Sequence, residues 1–139
     1  MRNRGCFSLL LLTTAAIAQE AWTPELSMQV KNVANVQTSA DGKLVTWTET
    51  RAIMDADKSE FVPQIFLSRG PSTPPLQLTR GEKGANAPAL SPDAAFVYFL
   101  SERSGKRNLY RISTSGGEAE MLTNWKGSLG SYKLSPNGK

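Results

Sequence analysis

The sequence predicts an all-β fold, an incomplete β-propeller of about two four-stranded blades preceded by a signal peptide. Three observations predict it. A turn phrase is written three times, as Ser39-Ala40-Asp41-Gly42-Lys43, Ser91-Pro92-Asp93-Ala94-Ala95 and Ser135-Pro136-Asn137-Gly138-Lys139, at spacings of 52 and 44 residues. Such spacing suits units that each supply about four strands to a repeated array. The copies also align with each other: Gln64-Ile65-Phe66-Leu67 falls on Asn108-Leu109-Tyr110-Arg111, and both copies close on Leu-Thr, at Leu78-Thr79 and Leu122-Thr123. Finally, Phe96-Val97-Tyr98-Phe99-Leu100 is apolar at every position, which marks a strand covered on both faces. Neighbouring blades pack face to face, whereas a one-sided sheet or small barrel would show in/out alternation.

In chain order, residues 1–18 read as an export signal. Arg2 and Arg4 form a basic start, an apolar stretch runs from Cys6 to Ile17, and Ala16-Ile17-Ala18 places small residues for cleavage after Ala18. Thr13 and Thr14 break the apolar run, which falls short of the ~20 residues that span a bilayer. No membrane association is expected after removal, and the expected location is periplasmic or extracellular. The sole cysteine, Cys6, leaves with the signal, so the mature chain has neither a disulfide nor a thiolate nucleophile. Lys and Arg are interspersed with Asp and Glu, without the basic run that tracks a phosphate backbone; a nucleic-acid partner is not expected.

Residues 19–32 form a lead-in, 33–80 the first blade, 86–124 the second, and 131–139 the start of a third. The second blade parses into strands at Ala87 to Leu90, Phe96 to Ser101, Asn108 to Ser113 and Ala119 to Thr123. Ser91-Pro92-Asp93, Ser104-Gly105 and Ser115-Gly116-Gly117 supply the turns between them. The first halves of the copies align at a shift of 52 and the second halves at 44, so one eight-residue insertion lies within Ala52 to Pro63. Ala94 stands where Gly42 and Gly138 supply glycine; either it adopts a left-handed conformation at a strain of about 1 kcal/mol or the turn there differs slightly.

Asp55, Asp57 and Glu60 are the acids of the inserted segment. They suit either a solvated hairpin or contact with a peptide's amino group or a cation, although calcium-loop spacing is absent. Trp47 and Phe99 are equivalent, as are Phe66 and Tyr110, which reads as blade packing; stacking on a substrate is the alternative. Arg51 and Arg103, also equivalent, are expected at strand-end turns, with an ion pair across the hairpin possible. Trp22 and Trp125 fall outside the repeat, and Trp125 is a candidate plug between blades.

The run Ser91-Pro92-Asp93, Ser101 to Lys106, Asn108 to Ile112, Gly116 to Ala119 and the closing Leu-Thr resembles the TolB/WD-like propeller repeat of exported prolyl oligopeptidase family enzymes, nearest the bacterial dipeptidyl and acylaminoacyl peptidases. The resemblance covers nearly all of residues 33–139. It implies a serine peptidase acting on short peptides, with Ser, Asp and His on an α/β-hydrolase domain beyond residue 139 and the propeller acting as lid and size sieve. The first blade of these enzymes carries an extended hairpin, where Ala52 to Pro63 stands. The chain contains no histidine and no G-x-S-x-G, so no catalytic residue is assigned within it, and no cofactor or metal is expected. The same repeat occurs in Tol-type periplasmic propellers, and a non-catalytic, protein-binding propeller is the alternative. A Tol-type protein would carry an α/β domain before its first blade, and the lead-in is too short for one.

Overall fold

The structure, a computed structural model, describes residues 22–55 and 57–136. The expected signal, the start of the lead-in and the end of the third turn phrase lie outside the described residues.

The lead-in contributes one short helix, α1 (Pro24–Met28), which sequence reading did not anticipate. Thr23 caps it, its hydroxyl accepting from the Leu26 N–H at 3.3 Å, and Pro24 opens the first turn, where a missing N–H costs nothing. Eight strands follow: β1 (Asn32–Thr38), β2 (Val45–Asp55), β3 (Lys58–Ser68), β4 (Leu76–Gln77), β5 (Asn86–Leu90), β6 (Phe96–Ser101), β7 (Asn108–Ser113) and β8 (Glu120–Met121). They form two antiparallel sheets, each joined strictly in sequence, β1-β2-β3-β4 and β5-β6-β7-β8. This is the two-blade arrangement that the repeat predicts.

The turn phrase holds because Ser and Asp replace backbone partners that a tight turn leaves without bonds. In the first blade the Ser39 hydroxyl donates to Asp41 Oδ1 at 2.6 Å and accepts from the Leu44 N–H at 2.9 Å, while Asp41 Oδ1 accepts from the Lys43 N–H at 3.1 Å. Ser91, Asp93, Ala95 and Phe96 repeat the pattern at 2.5, 3.1 and 2.9 Å. Gly42 has φ 70° and Ala94 φ 56°, so Ala94 adopts the strained left-handed conformation.

The closing Leu-Thr has an equally local cause. The Leu78 N–H bonds to the Ile65 carbonyl at 2.8 Å, and the Thr79 hydroxyl then accepts from the Ile65 N–H at 2.9 Å and donates to Gln64 Oε1 at 2.7 Å. Leu122, Thr123, Leu109 and Asn108 build the same closure in the second blade. A two-residue outer strand is thereby completed by a side chain.

The insertion is a ribbon. β2 and β3 remain paired from Val45↔Ser68 to Asp55↔Lys58, so the extra residues lengthen both strands instead of forming a loop. Ile53, Met54 and Phe61 are exposed on it.

Ile65 and Leu67 of β3, both 0 % exposed, join Leu44, Leu78 and Ala85 with Val97, Phe99, Tyr110 and Ile112 of the second blade in one core. Arg69 ties the blades at their edge, its Nη2 donating to the Thr114 carbonyl at 2.8 Å. Phe66, lying between Ile65 and Leu67, faces the opposite side of the first sheet.

Candidate functional site

β1 and β5, the first strand of each blade, share an irregularity. In β1, Asn35 and Val36 together oppose Trp47; in β5, Ala87 and Pro88 together oppose Phe99. Each is a β-bulge, and the first residue of each is left-handed, with φ 51° at both Asn35 and Ala87. Bulges redirect the strand and the groups around it, and here both border one cleft.

The cleft has a volume of about 590 Å³. Asn35 and Gln37 of β1, Asn86 to Ala89 of β5, Leu100, Arg107 and the segment 130–134 line it. Segment 130–134 reaches it through Tyr132, whose hydroxyl lies 2.7 Å from the Ala87 carbonyl and 2.9 Å from the Tyr98 carbonyl. Burial pushes the Tyr132 phenol above the usual tyrosine range, so it remains a neutral donor throughout the ordinary pH range. Among the described residues the charged lining residues are Arg107 and Lys133, and no carboxylate lines the cleft. Glu102 approaches Arg107 Nε at 4.0 Å with its own side chain 58 % exposed, a weak pairing.

The residues that the sequence singled out lie elsewhere. Asp57 and Glu60 are exposed on the ribbon, and Glu60 stands opposite Ile53. Among the described residues, no three His, Cys, Asp or Glu side chains are grouped to hold a metal. Trp47 and Phe66 stack with centroids 5.9 Å apart, and Phe99 and Tyr110 with centroids 5.7 Å apart, as cross-strand neighbours in both blades. These are packing pairs.

The two arginines differ from expectation. Because β2 runs on to Asp55, Arg51 lies within a strand and not at its end; it pairs with Glu49 at 2.5 Å and stands 5.4 Å from the Phe66 ring centroid. Arg103, in the β6–β7 turn, lies 5.3 Å from Phe99 and 5.1 Å from Tyr110. Arg51 therefore covers one ring of its aromatic pair and Arg103 both rings of the other. Trp22 and Trp125 are exposed, so Trp125 does not plug the space between the two described blades; its backbone N–H bonds to Asn108 Oδ1 at 2.9 Å.

Sequence reading missed Asn35, Asn86, Arg107, Tyr132 and Lys133. They come from four separate stretches that only the bulged strands bring together. Asn35 carries the one available signal, since asparagine tolerates left-handed backbone better than most residues.

Residues 10–139 match the family model described as the dipeptidyl peptidase IV (DPP IV) N-terminal region. The chain is 28 % identical over 111 residues to the uncharacterized peptidase YuxL of Bacillus subtilis (strain 168), covering 79 % of this chain and 17 % of that protein. It is 31 % identical over 85 residues to the uncharacterized protein Atu1656 of Agrobacterium fabrum (strain C58), covering 61 % of this chain and 26 % of that protein. The chain thus spans well under a third of the length of either relative.

Among solved structures, that of a putative TolB from Agrobacterium tumefaciens superimposes with a TM-score of 0.51 at 28 % identity, covering 69 % of this chain and 31 % of that one. The acylaminoacyl peptidase of Pyrococcus horikoshii superimposes with a TM-score of 0.53 at 17 % identity, covering 68 % of this chain and 14 % of that one, a likeness of fold alone. Two blades of matching construction, and a family model matched over nearly the whole length, give one conclusion: this chain belongs to the dipeptidyl peptidase IV N-terminal region family.

Proposed function

We propose that this chain is the N-terminal propeller part of an exported serine peptidase that hydrolyses short peptides, and that its blades help to enclose the active site and select substrates by size. The observation that carries the reading is the family match over residues 10–139, on a chain whose two blades repeat one construction. The catalytic Ser, Asp and His belong to an α/β-hydrolase domain in sequence beyond residue 139. The chain has no histidine from which to build the proton relay itself. The likeness to YuxL, described as a peptidase, supports the same reading.

The test uses the complete protein. Short chromogenic peptides should be hydrolysed, longer folded proteins should not, and a fluorophosphonate should label one serine and abolish the activity. Labelling of no serine, with no peptide turned over, overturns the reading. Export is tested separately: N-terminal sequencing of protein from the periplasm or medium should begin at Gln19.

A second reading rests on the 28 % identity to the putative TolB structure. On it, the propeller is a non-catalytic module that binds protein partners. A complete protein with no α/β-hydrolase domain after its blades favours this alternative.

A further inference from the structure

We propose that the cleft between β1 and β5 is a subsite for a peptide carboxylate, held by Arg107 and Lys133 with the side-chain amides of Asn35 and Asn86. The subsite deepens the peptide-hydrolysing reading above and rests on it.

Four observations converge. Among the described residues the lining carries two cations and no carboxylate, with Asn35, Gln37 and Asn86 adding amide donors, so these residues offer an anionic group favourable partners. Among the described residues the acid that pairs with Arg107 is the distant and exposed Glu102, which leaves the guanidinium able to turn to a ligand. The cleft volume of about 590 Å³ suits the end of a short peptide.

The last observation concerns backbone. Non-glycine residues in the left-handed region persist only where their surroundings over-determine them, and they gather at ligand sites. Asn35 and Ala87 are two of the three such residues among those described, and both open on this cleft. The Tyr132 hydroxyl, seated against the Ala87 and Tyr98 carbonyls, fixes the segment bearing Lys133 in place before any ligand arrives.

The source of the carboxylate is either a peptide C-terminus or an acidic side chain. Four probes distinguish these sources on the complete protein by ligand-observed NMR titration: acetyl-alanine, acetyl-glutamic acid α-amide, neutral acetyl-alaninamide and inorganic phosphate. At least one carboxylate probe should bind about tenfold more tightly than the neutral amide, as a charge-assisted pair implies. The stronger of the two identifies the source.

Lys133→Gln, at an exposed position that leaves folding intact, should reduce the preference, and adding Arg107→Gln should abolish it. Arg107→Lys should restore part of it. Equal binding of acetyl-alanine, the glutamate derivative and the amide overturns the proposal. So does a preference that survives in the double variant, or phosphate displacing the carboxylates at equal concentration. A carboxylate preference without hydrolysis of any peptide would sink the peptidase reading and leave the subsite standing; hydrolysis without the preference would do the reverse.

Discussion

Asn35 and Ala87 share one backbone angle, φ 51°, at the same position in the first strand of each blade. The first opposes Trp47 and the second Phe99 across their bulges, so the feature is copied with the blade. An L-residue in this conformation carries about 1–2 kcal/mol of strain. Ala87→Val, which adds branching at Cβ, should destabilise the protein by more than about 1 kcal/mol. Ala87→Gly should be neutral to stabilising by up to about 1 kcal/mol, because glycine's greater unfolded-state freedom offsets part of the relief. Denaturant midpoints of the two variants check this.

Gly84 makes a sharper case. Its φ is 67°, and a Cβ there would stand 2.9 Å from Pro63 Cδ and 3.0 Å from the Pro63 carbonyl oxygen. Its own carbonyl accepts from the Ser101 hydroxyl at 2.6 Å, so the linker between the blades is pinned on both sides. Gly84→Ala should cost about 2–4 kcal/mol from strain and overpacking together, seen as a lowered denaturant midpoint. Gly42→Ala, with nothing within 4 Å, should cost only the strain of about 1–2 kcal/mol.

Thr79 is 2 % exposed and completes the outer edge of the first blade. Thr79→Val keeps the shape and leaves the Ile65 N–H and Gln64 without their partner. The expected loss is about 1–3 kcal/mol, with Thr79→Ser within about 1 kcal/mol of the parent. Thermal melts of the three proteins give the order.

Acid should loosen both turn phrases. The Ser39 hydroxyl, followed by the Lys43 N–H, holds the Asp41 carboxyl down to about 2, and the Ser91 hydroxyl, followed by the Ala95 N–H, lowers Asp93. Both folded values lie below the unfolded one of about 3.9, so the stability they contribute is fully present above about pH 4. It is lost as pH falls toward about 2. Melting temperature measured across this window should fall, and the Asp41→Asn, Asp93→Asn double variant should show a shallower fall.

The polypeptide from Gln19 to Lys139, expressed alone, should be poorly soluble. Val33, Val36, Met54 and Phe61 are each more than half exposed. A monomer by size-exclusion chromatography with a sharp cooperative melt contradicts this.

Sequence order revealed the blades because their chemistry is local. Three of the second blade's four strands fall within about a residue of the expected ends, at Asn86–Leu90, Phe96–Ser101 and Asn108–Ser113, since Ser, Pro, Asp and Gly fix the turns between them; the fourth, expected at Ala119 to Thr123, is only Glu120–Met121, because the Thr123 hydroxyl takes over the pairing. The extended hairpin expected at Ala52 to Pro63 agrees with the continuous pairing of β2 and β3, although the residues themselves gave only the length of the insertion, because strand length depends on a partner and not on residue type. The cleft was hidden for a similar reason. A bulge leaves little trace in an apolar pattern, and Arg107, Tyr132 and Asn35 meet only after two sheets have formed. The acids that drew notice did so by being conspicuous in composition, while the ribbon carries them away from the inner strands.

The threonine that finishes each blade has a consequence for life in a crowded compartment. With only two residues in the last strand of each blade and a hydroxyl where further backbone pairing would begin, β4 and β8 themselves offer scarcely any bare amide row to a passing chain. Strands this short give a neighbouring chain little to extend into a fibril, however apolar the sheets behind them.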